Sequence, residues 1–539
     1  MLSEILMTIK GLAVIALAVY GFAALLRKED AEWVKRGPLT IFLSIFLIGM
    51  WGYTVWVVYA ALLLIIPLLA KSRSDAAALY AVALVSCPSI KDKVAIGSIY
   101  LLPLSKFVFL SLGVWIAFLV KRRGAPTPGR SHFDIPILII AFLELAQARS
   151  DSPTVVLRQT VITVLVVLLP YFAVSRSLTN ATEVRRFTLA IALAGFVMAA
   201  VATVEGRLHW LIYKHIEATL HISSVMNPYL KLRAGVIRSP ASFQESTSLG
   251  IYLALATVML FAVRSNFASA GKWLLALAVM GLGLLSANSR GAFVALAIGV
   301  IAFDFYRRRY PDLLAKIAVG AGLFLMVLAA AQFSEFFASV LGRGSGEAGS
   351  ADYRFLLWHR GLEEIAKHPL FGTSLQTAMN HLEDLRQGED IIDIVNGYIN
   401  YGLTAGYPGM VGLLLVFVSL CGAMLLMRRT TGVRLPISDS AAAAFAIAGY
   451  SIVSCFYGGF GGEASSPFYS VAALGSALWS MRRYAATEEH GTAVNALKRV
   501  PPVQALIAAD RAEAPSRNRR LRGLGLAEAP LQSASDATV

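Results

Sequence analysis

Arginine is the residue type in this chain whose placement suggests chemistry. Arg290 falls in residues 284–292, LLSANSRGA, which close one apolar run and open the next with no polar loop between them. A guanidinium at such a depth is costly unless it snorkels, pairs or lines a wet cavity, so the first reading of it is functional. Arg233 and Arg238 stand in residues 231–246, KLRAGVIRSPASFQES, just ahead of another apolar run. Arg354 opens a helical pattern in a later polar segment. Guanidinium forks match phosphate oxygens and stay charged in a low-dielectric setting. A substrate carrying a pyrophosphate at a membrane surface would need such groups to hold it and to stabilise charge on the departing pyrophosphate. Taken singly, each arginine is more readily an interfacial anchor; as a group near apolar ends they favour an anion site.

Other chemistries find less support. His209, His215 and His221 are spaced so that a helix would spread them around its axis, and His359, His368 and His381 form no recognisable metal pattern. No metal site is expected. Cys87, Cys421 and Cys455 all lie in apolar segments without paired spacing. There is no nucleophile elbow, Walker motif or dinucleotide fingerprint, so neither a serine hydrolase nor a cofactor-bearing enzyme is expected. Glu245, beside the arginines at a span mouth, is the first candidate for a base, with Asp393 and His381 as local alternatives. Asn396 has the chemistry to orient a sugar hydroxyl and Tyr398 to stack on a sugar ring; both fit a capping or packing role equally well.

These residues must be carried by membrane helices. The chain has 539 residues, 57% hydrophobic and only 15% charged, with apolar runs recurring through most of it. It therefore reads as an all-α polytopic transmembrane bundle of about 12–15 spans. A net charge of +15 in such a chain reports orientation before it reports nucleic acid, and no nucleic-acid partner is expected. Basic clusters at Lys121–Arg123, Arg185/Arg186, Arg307–Arg309, Arg428/Arg429 and Arg482/Arg483 fall on one side if the spans alternate, and that side is cytoplasmic by the positive-inside rule. The expected organisation is N-terminal spans over 1–204, a first long outer loop over 205–245, spans over 246–332, a larger outer loop over 333–401, C-terminal spans over 402–482 and a disordered cytoplasmic tail over 483–539. Residues 11–26 are expected to be a retained span, 98–120 a continuous one, and 75–89 the weakest. Residues 209–222 read as an amphipathic piece lying on the outer membrane surface. Asp352 reads as the cap of a helix whose face carries Phe355, Trp358, Leu362 and Ile365.

In that arrangement several stretches resemble a known family. SANSRGAFVALA at 286–297, RAGVIRSPASF at 233–243, DYRFLLWHRGLEEIAKHPLFG at 352–372 and IVNGYINYGLTAGYPGMVGLL at 394–414 look like the bacterial O-antigen ligase and polysaccharide polymerase superfamily. The resemblance implies a metal-independent glycosyltransferase of the inner membrane, acting at its periplasmic face on glycans linked to undecaprenyl pyrophosphate. It also implies a glycan or lipid-linked acceptor, the bilayer and a chain-length regulator as partners. By matching position, Arg290 would contact the pyrophosphate, Arg233 or Arg238 would be its partner from the first loop, and Arg354 would belong to the second. Ligases of the family carry a histidine where this chain has Val395 before Asn396. Valine can neither accept a proton nor donate to a phosphate, which favours a repeat-unit polymerase over a ligase acting on lipid A core. A lipid-linked glycan flippase is the alternative from another class, with Lys106 and Arg158 as intramembrane charges and GYPG at 406–409 as a helix interruption.

Overall fold

The computed structural model describes residues 2–96, 99–121, 131–148, 152–220, 232–233, 236–341, 348–386, 392–430, 438–460 and 465–481. The expected tail over 483–539 lies outside the described residues.

In an apolar phase every backbone polar group must be satisfied within its own segment, and helices do this. The chain is accordingly all-α. Its first part runs through α1 (Leu2–Leu25), α2 (Lys28–Trp51), α3 (Val55–Leu69) and α4 (Arg73–Ser86). A short antiparallel hairpin, β1 (Lys91–Ile96) with β2 (Ile99–Ser105), leads into α5 (Lys106–Val120). Then follow α6 (Asp134–Gln147), α7 (Pro153–Thr163), a π-helical turn over Val164–Leu168, α8 (Leu169–Ser175) and α9 (Ala181–Leu208). The segment 209–245 holds α10 (Lys214–Thr219) and a minimal ladder of β3 (Leu232–Arg233) with β4 (Val236–Ile237). The rest comprises α11 (Ser246–Ala262), α12 (Ala270–Ala287), α13 (Arg290–Arg307), α14 (Tyr310–Ala330), α15 (Glu335–Val340), α16 (Ala348–Lys367), α17 (Leu375–His381), α18 (Gly397–Thr430), α19 (Ser438–Ser454) and α20 (465–481). Among the described residues seven segments are long and apolar enough to cross a membrane, and α3, α5 and α11 are shorter apolar helices.

Helix α9 is the centre of the bundle, packed on α12, α4, α11 and α1. Small residues permit the approach: a Cβ added at Gly195 would collide with Ala256, and one at Gly283 with Ala199. Basic residues gather at one end of the bundle. There Arg27 N donates to Asn266 O at 2.9 Å, Arg73 Nε to Lys121 O at 3.1 Å, and Arg307 pairs with Asp439 at 2.9 Å. The opposite end carries the hairpins and α15–α17, and there Lys91 Nζ donates to Gln244 Oε1 at 2.9 Å.

The second long loop folds on its own small core, in which Leu357, Ile365, Leu382, Leu385, Ile399 and Leu403 are buried together. It docks into a break in α18. Gly406 has φ +69°, Tyr407 N donates to Pro369 O at 2.8 Å and Thr373 N to Leu403 O at 2.8 Å. A Cβ at Gly406 would collide with Pro369 O, so both the backbone angle and the space require glycine. The interruption expected at GYPG thus receives the loop.

Three local expectations are corrected, and the segment expected to be the weakest span proves to be a buried helix. Residues 98–120 are not one span: residues 99–105 pair with 91–96 before α5 begins at Lys106, and Pro103, which would deprive a helix of one hydrogen bond, lies in the strand. Helix α4 is almost wholly buried in protein, so its modest hydropathy reflects a core position. The apolar stripe of residues 209–220 does not lie on a membrane surface. Ile212, Tyr213 and Ile216 are buried, with Ile216 packed where α2 offers Gly49. Asp352 lies inside α16, which begins at Ala348, and Phe355 is exposed while Trp358 packs on Phe456.

Candidate active site

The turn from α12 to α13 brings Arg290 to the loop end. Asn288 ends α12 in a left-handed conformation (φ 45°), its N–H donating to Leu284 O and Leu285 O, both at 3.1 Å. Such a conformation suits asparagine better than most residues with a side chain. Ser289 is the N-cap and Arg290 the first residue of α13. Across from it, Gly250 lets α11 come close: a Cβ there would lie 2.9 Å from both Ala292 and Ser289. This packing places Thr247 and Ile251 beside Arg290.

Two further arginines converge on the same space. A cleft is lined by Arg238, Arg290 and Arg354, together with Thr247, Ile251, Ser289, Gly291, Ser454 and Tyr457. Arg238 comes from the segment before α11, whose Ser239 N donates to Ser286 O at 3.1 Å. Arg354 comes from α16. Burial is the main influence lowering its pKa, and the charge of Arg290 lowers it further, while Asp393 and Tyr457 act in the opposite sense. Two cations that disfavour each other's charge are relieved by an anion placed between them.

A second, narrow crevice adjoins the cleft and shares Ile251 and Ser454 with it. Its walls are largely apolar: Tyr252, Leu255, Tyr450, Phe460, Pro467 and Phe468, with Ser248, Ser451 and Cys455 adding small polar groups. The arginine-lined cleft thus adjoins a narrow apolar crevice framed by α11, α19 and α20.

The other expected residues stand elsewhere. Glu245 is the N-cap of α11, its backbone carbonyl accepting from Leu249 N at 3.1 Å, and it is not among the residues lining the cleft. The backbone of Arg233 pairs with Val236, and its side chain lies outside the described residues. Asn396 is buried and caps α18, its Oδ1 accepting from Ile399 N at 3.1 Å. Tyr398 is buried, its hydroxyl donating to Ile452 O at 2.7 Å and its ring packed on Phe456. Of the two roles open to Asn396 and Tyr398, these contacts match capping and packing. Lys106 is buried beside the hairpin, donating to Cys87 O at 2.9 Å.

Sequence reading missed Thr247, Ser454 and Tyr457, whose approach to Arg290 depends on tertiary packing. It also missed Glu205, which reads only as the polar end of a span. In the structure Glu205 is fully buried, accepting from Ile212 N at 2.9 Å, from Ala241 N at 3.1 Å and from Ser239 Oγ.

The architecture is that of a multi-pass membrane protein with an arginine-lined cleft at the loop end. Residues 275–414 match the family model described as O-Antigen ligase, which supports the resemblance to the O-antigen ligase and polymerase superfamily. The matched stretch contains Arg290 and Arg354; Arg238 and Glu205 precede it. A search of curated proteins finds no match.

Proposed function

We propose that the protein is a repeat-unit polymerase for O-antigen, capsule or exopolysaccharide, a glycosyltransferase taking undecaprenyl-pyrophosphate-linked glycans at the periplasmic face of the inner membrane. The observation that carries this reading is the meeting of Arg238, Arg290 and Arg354 around one cleft. The pyrophosphate is assigned to the cationic part, and the apolar residues beside it face the start of its lipid. An acceptor hydroxyl attacks the anomeric carbon of the donor, the bond from that carbon to the pyrophosphate oxygen breaks, and the lipid pyrophosphate leaves. The arginines stabilise the charge on the leaving group, an effect on the order of 3 kcal/mol for one preorganised donor. Glu245 and Asp393, the carboxylates expected from the sequence near the arginines, are the candidates to accept the hydroxyl proton. No cofactor is invoked.

Ligation of finished chains to lipid A core is the second reading, favoured by the description of the matched family. Val395 in place of the ligase-type histidine weighs against it.

The test compares cells lacking the protein and complemented with wild type or Arg290→Ala at equal membrane levels. A polymerase variant accumulates single lipid-linked repeat units on the periplasmic side and makes no long polymer. Long lipid-linked chains that fail to reach lipid A core would identify a ligase, and units trapped on the cytoplasmic side a flippase. Unchanged pools would reduce Arg290 to an anchor.

A further inference from the structure

We infer that Glu205 is a positioning residue for Arg238, holding the first loop in the shape that aims this arginine into the cleft; the inference rests on the transferase reading. Glu205 lies in the last turn of α9 and is fully buried. Its Oε2 accepts from Ser239 Oγ and from Ala241 N at 3.1 Å, and its Oε1 accepts from Ile212 N at 2.9 Å. One carboxylate thereby ties together the two ends of the first loop. The loop needs tying, because Ala241 has φ +48°, a left-handed conformation that is uncommon for a residue with a Cβ and persists only when its surroundings hold it. Ser239 is held a second time through its N–H on Ser286 O at 3.1 Å, and Ser286 lies four residues before Arg290. The carboxylate of α9, the end of α12 and the residue following Arg238 therefore form one junction, and it fixes the distance between Arg238 and Arg290.

The chemistry requires a carboxylate rather than an amide. Both oxygens of Glu205 face a backbone N–H, which cannot reverse its role as a donor. Glu205→Gln preserves shape, yet whichever way its amide is turned an NH2 group opposes a backbone donor. Ser239→Ala removes one donor and leaves the carboxylate in place.

The test uses the full-length protein in lipid nanodiscs with a lipid-linked repeat unit as donor, measuring initial rates of polymer formation. Arg238→Ala is expected to slow transfer about 100-fold and Glu205→Gln about tenfold. A residue that acts through Arg238 has nothing further to lose once Arg238 is gone, so the double variant should match Arg238→Ala within about twofold. A double variant slowed by the product of the two factors, about 1000-fold, would overturn the inference, since a general structural defect adds independently. Ser239→Ala should couple to Arg238→Ala in the same way, which keeps the test alive if Glu205→Gln fails to reach the membrane, and Ser239→Thr should restore the wild-type rate. If Arg238→Ala alone leaves the rate unchanged, the arginine-cleft reading itself fails, and this outcome is distinct from additivity.

Discussion

Both ends of the bundle carry cations, but they use them differently. At the basic end Arg176 meets Asp134 at 2.7 Å, Arg307 meets Asp439 at 2.9 Å and Lys316 meets Asp304 at 2.6 Å. These pairs join helices: Asp134 also accepts from Tyr171 Oη at 2.8 Å, and Lys316 is the polar link of α14 to α13. At the loop end Arg238, Arg290 and Arg354 face a common cleft, and Arg290 lowers the pKa of Arg354. Cations opposed by carboxylates are neutralised within the fold. Three guanidiniums gathered on one cleft form a concentrated positive surface that an incoming anion can use. Arginine content does not distinguish the two ends; the clustering of guanidiniums around one space does.

The comparison is broken most directly by removing one cation from each end. Asp304 is fully buried, and its Oδ1 has no hydrogen-bond partner, so Lys316→Ala strands a carboxylate. The expected cost is about 3 kcal/mol, read as a lower thermal midpoint of the detergent-solubilised protein, while the rate of transfer per folded molecule stays within about twofold. Asp304→Asn in the same chain should recover most of the loss. If Lys316→Ala instead slows transfer and leaves stability unchanged, the basic end is functional and the contrast fails.

Arg354→Lys is expected to do the opposite. Lysine keeps the charge but loses the planar fork that binds two phosphate oxygens at once. Transfer should fall about tenfold, or ~1.4 kcal/mol, with the thermal midpoint unchanged. A fully active lysine variant would mean that Arg354 contributes only charge, or packs without touching the donor.

How much of this was legible in the sequence follows from the range of the interactions. Apolar runs and basic clusters report local properties, so the all-α membrane class and the meeting of two apolar runs at 284–292 could be read directly. Residues 98–120 misled because hydropathy is blind to Pro103, which disfavours a continuous helix, and cannot show the pairing of 99–105 with 91–96. The stripe at Ile212 and Ile216 was correctly amphipathic, but periodicity cannot say whether the partner is lipid or the glycine face of α2. Three arginines of the cleft were candidates from the sequence. Glu205 and Tyr457 were not, because a buried carboxylate bonded to distant backbone and an aromatic beyond α19 become informative only once the chain is folded.

The smallest expected effect belongs to the second loop, where a carboxylate serves structure without lying at a membrane helix end. Glu364 is buried, with its oxygens 2.6 Å from His381 Nδ1 and 2.6 Å from Lys367 Nζ. Burial, the largest single influence, raises its pKa, but His381 and Lys367 together outweigh it and hold the carboxyl below its ordinary range. A depressed carboxyl contributes stability that is present above its unfolded value, about 4.3, and is lost as pH falls through its lower folded value. Because Lys367 and His381 are both largely exposed, solvent screening keeps the contribution small. Glu364→Gln should therefore flatten the acid side of the loop's stability profile, measured by hydrogen exchange in α16 and α17 between about pH 5 and pH 3, and leave transfer at neutral pH unchanged. Identical acid profiles for wild type and variant would show that other groups control the loop. Loss of transfer at neutral pH would instead place the Glu364–His381 pair in the chemistry, and the functional charges could then no longer be confined to the arginine cleft.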